Sequence, residues 1–539
     1  MFAAKKSLSS QVKKYVLSTI HAVVGKESSN ILVLDKDTYE CITSLFTNNE
    51  LCEQSIFFAG YLSDTEQPLK ISGMKTLCIL NPSDENLHSL KKELNCNPRS
   101  NEYYIFFTDF LDSETYLKFS QIINKKIKKL SELYVNARFN HDHSFYISDG
   151  YCADEKKISN TLFNLALSLN AHPQIIVSKT PKCEKIGNIL NQKFVENKDV
   201  SNSLSKKNTF FILDRLNDMI TPLLTPWSYL AMMHEYFEIK NNIIQVNKED
   251  IYINHDKDKI MNDNRFSNYG TLTENMVIYT EQLKNENDKI NNLKDQRNIK
   301  KLASESLEYI DFSKNVSKHL NITSLMSTQI KNNDLFSISG YEQDLICGDN
   351  TCLDTMFKII KDIMTKDNIK SNYKIKLCLL YLVRCEFDKI RIENIKKLFM
   401  DKTLSLEFNN ILQNFMTKFS IYNIVNIPKN KNKISSFISD IFSKQINSKN
   451  HLLRHKPPIK KTVEDYLDGK KISDKLMWIN HHHQAPHKIE NIIIFVRGGV
   501  TFEELSYISQ LNNNSYANIY LGGDCFLNTE IALRQINLL

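Results

Sequence analysis

The chain has the pattern of a parallel α/β protein at both ends and a helical pattern between them. Short apolar runs alternate with amphipathic segments up to about residue 221, and the same alternation returns near residue 487. Between these regions long helical patterns dominate. Because strand–helix alternation indicates a largely parallel sheet covered by helices, the chain is predicted to contain two α/β domains and a large inserted, mainly helical domain.

The predicted strands define the domain boundaries. In the first region they are residues 31–34, 55–58, 76–80, 103–107 and 144–147, and in the second 174–177, 209–213, 492–496 and 518–521. We expect domain one at residues 1–144 and a discontinuous domain two at 145–221 and 487–539. A helical domain three should occupy 222–486, with a projecting hairpin at about 266–325 whose polar tip lies near 285–300.

Composition excludes several classes of protein. The 539 residues are 42% hydrophobic and 24% charged, as in ordinary globular proteins of several domains. Sixty-nine basic and 62 acidic residues nearly balance, and no basic stripe predicts a nucleic-acid surface; the lysines at 125–129 lie in a helical pattern. The 11 cysteines contain no Cys-x-x-Cys pair, which favours a reducing compartment over a disulfide framework or zinc module. No apolar run approaches the length of a membrane span.

The sharpest enzymatic alternative rests on Asp35 and Asp37. An apolar strand that ends in Asp-x-Asp resembles the nucleophile motif of haloacid-dehalogenase-like phosphatases. However, Tyr39 stands where that motif has Thr or Val, and no later acidic pair is placed to hold Mg²⁺. Since acidic residues and threonines often cap the helix after a strand, Asp37 or Thr38 is expected to be such a cap.

Other patterns have simpler explanations than a ligand site. The pairs Gly498-Gly499 and Gly522-Gly523 match no phosphate-binding motif, and turns with positive φ account for them. A histidine cluster could hold a metal adventitiously but has no carboxylate or thiol partners in ligand spacing; it comprises His481, His482, His483 and His487. We therefore predict no catalytic, metal or cofactor site.

Six stretches, in order, resemble the SM (Sec1/Munc18-like) family. The longest is Leu213-Asp214-Arg215, then Asp218-x-x-Thr221-Pro222, then a helix with Tyr229-x-Ala231-Met232 and His234-Glu235. The others are Asn315 to His319, Leu453 to Pro457, Ile493 to Glu504, Leu521 to Gly523, and Val33 to Thr38 with Asn81-Pro82-Ser83. The resemblance spans essentially the whole chain.

The resemblance implies a three-domain arch and a non-enzymatic function. Members hold a syntaxin-like Qa-SNARE helix bundle in a central cavity and assist SNARE complex assembly. In the endosomal branch, which this chain resembles, domain one also binds the SNARE's N-terminal peptide in an apolar pocket. That pocket should involve Tyr116, Phe119 and Ile123. We expect a monomer in the cytoplasm, associated peripherally with Golgi and endosomal membranes through its partners.

The chain also departs from the family pattern at named positions. Arg497 replaces an apolar residue, Asp524 and Cys525 replace paired threonines, and Ile310 stands where a proline is expected. Two hypotheses therefore remain at this point: a SNARE-binding chaperone, or a phosphatase-like enzyme that uses Asp35 and Asp37.

Overall fold

The structure is a computed structural model that describes residues 5–26, 28–64, 73–96, 98–111, 113–253, 258–294, 299–348, 352–423, 452–480 and 488–538. The chain forms two compact units. The first comprises Met1–Asp214, Lys461–Gly499 and Ile508–Cys525, and the second comprises Arg215–Lys460, Val500–Tyr507 and Phe526–Leu539. Each unit is therefore built from separate stretches of the chain.

Helices and strands alternate through the first 214 residues. The helices are α1 Leu8–Val24, α2 Lys36–Leu45, α3 Asn48–Glu53, α4 Asp84–Cys96, α5 Ser113–Ser120, α6 Glu155–Ser168, α7 Pro181–Glu196 and α8 Lys198–Ser201. The strands are β1 Asn30–Leu34, β2 Ile56–Tyr61, β3 Lys75–Leu80, β4 Tyr103–Phe107, β5 Ile127–Glu132, β6 Arg138–His141, β7 Ser144–Tyr146, β8 Gln174–Ser178 and β9 Asn208–Asp214.

The rest of the chain is mostly helical until its last strands. The helices are α9 Tyr229–Phe237, α10 Lys259–Asn264, α11 Tyr269–Lys294, α12 Ile299–Asn332, α13 Leu335–Cys347, α14 Leu353–Met364, α15 Ser371–Arg384, α16 Lys389–Lys396, α17 Lys402–Asn423, α18 Pro458–Leu467, α19 Phe502–Asn514 and α20 Thr529–Ile536. The strands are β10 Ile243–Val246, β11 Glu249–Tyr252, β12 Leu476–Asn480, β13 Asn491–Arg497 and β14 Asn518–Gly523.

The first sheet has five parallel strands in the order β2-β1-β3-β4-β5. Its central strand residues are buried on both faces, as a parallel sheet covered by helices requires. Strand β5 corrects a sequence prediction, because Lys128 and Lys129 lie in this edge strand and not in a helix. Both lysines are exposed, and charged side chains on an edge strand hinder pairing with other chains.

The second sheet has seven strands in the order β12-β8-β9-β13-β14-β7-β6. Its five inner strands are parallel, and the two edge strands are antiparallel to their neighbours. Strand β13 pairs with β9 in register over seven residues, from Asn491 opposite Asn208 to Arg497 opposite Asp214. This pairing confirms that the end of the chain completes the sheet begun near Phe145, while the exact domain boundaries stay a prediction.

The two glycine pairs have different physical causes. Gly498 and Gly499 have φ of +93° and +92°, which confirms the turn predicted after β13. Gly522 and Gly523 lie within β14, and neither is among the residues described with positive φ. A Cβ on Gly522 would come within 2.3 Å of the Phe145 ring. Close approach of a buried aromatic ring, and not turn geometry, requires glycine there.

The second unit is largely helical, as the sequence predicts. The long helices α11 and α12 pack against each other, with the Tyr279 and Phe312 rings 6.4 Å apart. The two helices cover most of the range predicted for a projecting hairpin, whose expected tip falls partly outside the described residues. Helix α12 runs unbroken through Ile310, because no proline interrupts its hydrogen bonds there. Strands β10 and β11 form a hairpin that the sequence analysis missed.

Candidate functional site

The surface of helix α5 and the turn after it presents large apolar side chains to solvent. Tyr116 is 56% exposed, Leu117 is 64% exposed, and Ile123 is 65% exposed. The helix follows β4, the fourth strand of the five-stranded sheet, and precedes the edge strand β5. We call Tyr116, Leu117 and Ile123 the α5 surface.

Phe119, the third residue predicted for this site, lies in the core. It is only 3% exposed and packs edge-on against Phe107, with ring centroids 5.6 Å apart. A helix of eight residues is held to the sheet by few side chains, and Phe119 is the buried residue of α5. The prediction that a ligand inserts beside an outward-facing Phe119 is therefore wrong in that respect. Leu117, which the sequence analysis did not select, is exposed in its place.

Helix α5 and the elements next to it in the sequence also carry exposed charged side chains. Lys118 Nζ lies 2.9 Å from both Asp84 Oδ1 and Glu114 Oε1, in a network that is largely exposed. On the edge strand β5, Lys128 and Lys129 are exposed. An exposed apolar group ringed by polar residues is typical of a site that binds a protein partner.

A second apolar surface lies along the α11–α12 hairpin. The hairpin buries Leu272, Met276, Val316 and Ile322 on its inner side. The same two helices expose the following apolar residues by between 41% and 66%: Val277, Ile278, Leu307, Ile310 and Leu320. We call these five residues the hairpin surface. Helices that leave one apolar face uncovered commonly bind another helix.

The base of the hairpin is fixed by a buried polar network. His319 Nε2 lies 2.7 Å from Asp258 Oδ2, and its Nδ1 lies 2.6 Å from the Tyr229 hydroxyl. Burial lowers the pKa of His319, so the ring is neutral near pH 7. A neutral ring donates from Nε2 to the carboxylate and accepts the tyrosine proton at Nδ1. Both ring nitrogens and the hydroxyl are thus satisfied within the second unit.

Asp35, the nucleophile of the enzymatic alternative, acts as a helix cap. Its Oδ1 accepts a hydrogen bond from the Thr38 N–H at 2.9 Å, and Thr38 Oγ1 accepts from the Asp35 N–H at 3.0 Å. Its Oδ2 accepts from the Asn81 N–H at 2.6 Å and from Asn86 Nδ2 at 2.8 Å. The cap is therefore Asp35, and not Asp37 or Thr38 as the sequence suggested. Both carboxylate oxygens are engaged in holding the backbone.

Two family departures, Arg497 and Asp524, lie in one buried cluster at the carboxyl edge of the seven-stranded sheet. Arg497 is 1% exposed, and its Nη1 lies 3.5 Å from Asp214 Oδ2. The guanidinium also contacts the Tyr151 ring and hydroxyl. Asp524 Oδ2 accepts from the Gly498 N–H at 3.0 Å and the Cys152 N–H at 3.3 Å. Burial raises the pKa of Asp524 to about 7 although Arg497 acts in the opposite direction.

The remaining family motifs also make specific buried contacts. Arg215 Nη2 donates to Glu504 Oε1 at 2.7 Å, and Glu504 Oε2 accepts from the Thr501 N–H at 2.8 Å. The predicted capping box between Thr501 and Glu504 is thereby confirmed. Trp227 stacks on Phe336 at 4.8 Å within the second unit. These residues build the fold, and their side chains are not offered to a ligand.

The described residues contain no cluster of three or more metal-ligating side chains. The histidines at 481–483 and 487 lie outside the described residues. Within the part of the chain that the structure describes, no helix is both long enough and apolar enough to cross a bilayer.

Comparison with known proteins identifies the class to which this fold belongs. The profile of the Sec1 family matches residues 30–535, which is nearly the whole chain. The chain belongs to the Sec1 family.

Individual relatives match over almost their whole lengths. Vacuolar protein sorting-associated protein 45 of Saccharomyces cerevisiae is 26% identical, with 93% of this chain and 92% of the relative covered. The Homo sapiens protein of the same name is 21% identical, with 97% of this chain and 95% of the relative covered.

Solved structures show the same fold. The SM protein Vps45 in complex with the Qa SNARE Tlg2 superposes with a TM-score of 0.85 at 20% identity, over 98% of this chain and 97% of that one. Sly1p in complex with an N-terminal peptide of Sed5p superposes with a TM-score of 0.75 at 17% identity, over 99% of both chains. The two-sheet and helical architecture is thus the SM fold.

Proposed function

We propose that this protein binds a syntaxin-like Qa-SNARE and assists SNARE complex assembly during vesicle docking and fusion, without catalysing covalent chemistry. Family membership supports this function, as do the similar proteins whose complexes contain a Qa-SNARE or a SNARE N-terminal peptide. The relatives named vacuolar protein sorting-associated protein 45 favour a step in endosomal, Golgi or vacuolar transport.

The exposed α5 surface is the observation that carries the proposal. Two bulky aliphatic side chains, Leu117 and Ile123, are about two-thirds exposed beside the half-exposed Tyr116. Covering such side chains with an apolar anchor contributes roughly 1.5 to 3 kcal/mol per fully buried residue. A short peptide with one Phe or Leu anchor fits a surface of this size. We infer that the α5 surface receives the N-terminal peptide of the SNARE.

The hairpin surface is the proposed contact for the SNARE helices. SNARE segments are amphipathic helices, and the α11–α12 hairpin exposes a series of aliphatic side chains on helices long enough to lie alongside them. The buried network of Asp258, His319 and Tyr229 holds the base of this hairpin in place. Two separate contacts on one partner raise its overall affinity, because the second contact forms at high effective concentration.

The proposed setting is the cytoplasmic face of Golgi and endosomal membranes, with a monomer recruited by its membrane-anchored partner. This setting suits a protein that acts on SNAREs. Flotation of the protein with vesicles that carry the SNARE, but not with protein-free neutral vesicles, would support recruitment through the partner.

The test of the α5 surface is calorimetric titration with a Qa-SNARE N-terminal peptide. Leu117→Asp and Ile123→Asp place a carboxylate where the apolar anchor should be buried, so each should weaken peptide binding by about thirtyfold or more. Val195→Asp is the matched control, because Val195 is 54% exposed on α7 in the same unit. Equal affinities for all four proteins would refute the assignment of the α5 surface.

The phosphatase alternative receives no support from the surroundings of Asp35. A nucleophilic carboxylate needs a free oxygen facing the substrate, and both oxygens of Asp35 accept hydrogen bonds from the chain itself. Asp35→Asn should therefore reduce thermal stability, because an amide cannot accept at both positions. Metal-dependent release of phosphate that Asp35→Asn abolishes would restore the enzymatic hypothesis.

A further inference from the structure

A cleft opens at the amino-terminal edge of the seven-stranded sheet. It has a volume of about 490 Å³ and lies entirely within the first unit. Its lining residues are Lys6, Lys207, Lys488, Ile489, Glu490, Asn491, Tyr516 and Asn518. We call it the lysine cleft. Its volume is in the range of pockets that hold small ligands.

Asn491 and Asn518 line the lysine cleft, and Asn208 continues their row beneath it in the sheet. Asn208, Asn491 and Asn518 are the first residues of three adjacent parallel strands and lie directly opposite one another. Asn491 Nδ2 donates to Asn208 Oδ1 at 2.7 Å, and Asn518 Nδ2 donates to Asn491 Oδ1 at 3.0 Å. These bonds fix a hydrophilic floor. A ligand that remains hydrated or hydrogen-bonded is therefore favoured over an apolar one.

The residues that line the cleft include three lysines and one acid, Glu490. Lys207 Nζ lies 3.1 Å from Glu490 Oε1, but both side chains are about half exposed, so this pair is weak and easily exchanged. Among the described residues, no ion pair is formed by Lys6 or Lys488. Both side chains are exposed. The residues that line the cleft therefore carry a net charge of +2, from three lysines and one glutamate.

The position of Lys6 is set by its neighbour. Lys5 Nζ donates to the Ser515 carbonyl at 2.6 Å and to the Ala517 carbonyl at 2.7 Å. The Lys6 N–H donates to Asn518 Oδ1 at 3.2 Å. The segment before α1 is thus tied to the start of β14, and Lys6 is held at the mouth of the cleft.

We propose that the lysine cleft binds a small polyol that carries phosphate monoesters, either as the headgroup of a phosphorylated inositol lipid or as a free inositol phosphate. Lysine ammonium groups bind phosphate as point charges, and several of them around one cavity reinforce each other at the short distances that salt does not screen. The amide oxygens of Asn491 and Asn518 each accept one hydrogen bond within the chain and can accept a second from a ring hydroxyl. This site shares no residue with the proposed SNARE contacts, and the proposal does not rest on them.

The test is titration of the full chain with soluble inositol hexakisphosphate, and flotation with phosphatidylcholine vesicles that contain a minor fraction of a phosphorylated phosphatidylinositol, whose surface attracts each nearby lysine by about 1 kcal/mol. The double variant Lys6→Ala, Lys488→Ala should weaken both by about tenfold or more. The matched control is Lys91→Ala, Lys92→Ala, which removes two exposed lysines of α4 in the same unit. Circular dichroism melting checks that each variant is folded.

The outcomes separate the source of the phosphate and can overturn the proposal. Vesicle binding that the soluble phosphate displaces assigns the cleft to a lipid headgroup, whereas binding of the soluble compound without flotation assigns it to a free anion. Equal loss in the two double variants would mean that net charge alone matters, which refutes the site. Equal binding to vesicles of matched charge made with phosphatidylserine would refute the requirement for phosphate monoesters.

Discussion

Asp524 and Arg497 show how two unusual residues can depend on each other. Both are nearly fully buried at the carboxyl edge of one sheet, where an isolated charge is costly. Arg497 has Asp214 within 3.5 Å, and its charge also acts on Asp524. The arginine that departs from the family pattern at the end of β13 thus lies in the same cluster as the aspartate that departs from it at the end of β14.

The stability of the protein should depend on pH through Asp524. Burial raises the pKa of Asp524 to about 7, so the folded state holds this proton more tightly than the unfolded state does. The resulting stabilisation is fully present below about pH 4, the unfolded pKa, and is lost as the pH rises towards 7. A shift of this size corresponds to at most about 4 kcal/mol.

The variant Asp524→Asn should not lose stability as the pH rises towards 7, because an asparagine side chain does not titrate. Its amide oxygen can still accept hydrogen bonds from the Gly498 and Cys152 N–H groups. The variant should gain stability relative to the wild type between pH 4 and pH 7. Urea unfolding at pH 4.5, 5.5, 6.5 and 7.5 measures the difference, with Asp37→Asn, an exposed acid in the same unit, as the control. A difference that does not change with pH would contradict the assigned titration.

At the scale of single elements, helix α5 contains a buried residue, Phe119, and an exposed residue, Leu117, two positions apart. Phe119→Arg should destabilise the first unit by about 3 to 5 kcal/mol, because it removes a buried ring and places a charge in the core. Leu117→Arg, two residues earlier, should leave the melting temperature nearly unchanged, since Leu117 is 64% exposed. Circular dichroism melting of both variants tests this. A similar melting temperature for the two would show that Phe119 is not part of the core.

The same elements show what the sequence could predict. Buried strands such as β4 and β13 were predicted to within a residue, because both faces are covered and the apolar run is continuous. The edge strand β5 was missed because its exposed Lys128 and Lys129 break the apolar pattern. The β10–β11 hairpin was missed because its turn residues Asn247 and Lys248 both take positive φ without a glycine to signal it.

The candidate site was only partly predictable for a related reason. Tyr116 and Ile123 were placed correctly on the surface, but Phe119 was not, because a helix as short as α5 has too few residues for a periodic apolar stripe. The orientation of such a helix is set by the sheet beneath it. Phe119 packs against the ring of Phe107, which belongs to strand β4 and not to the helix, so the local sequence of α5 does not show which side is buried.

At the scale of the whole molecule, the last stretch of the chain carries the centre of a sheet. All seven residues of β13 are buried, and five of them are large apolar side chains. Burying such side chains contributes roughly 1.5 to 3 kcal/mol each, so β13 alone is comparable with the total stability of a typical domain. A chain that ends at residue 480 should therefore fail to form the seven-stranded sheet of the first unit.

Limited proteolysis provides the measurement for that truncation. In a chain ending at residue 480, cleavage within residues 145–214 should become rapid. A chain that ends at residue 527 is the control, because it keeps all seven strands of the second sheet and loses only α20. Protection of residues 145–214 in the shorter chain would contradict the central role of β13.

The order of the strands also has a consequence during synthesis. Strands β7 and β9 leave the ribosome early, yet the two strands that fill the space between them are made only after the entire helical region. Throughout that interval the nascent chain carries two unpaired parallel edges lined with apolar residues, which are the surfaces that chaperones cover. During translation these two edges therefore stay unpaired until β13 and β14 have been synthesised.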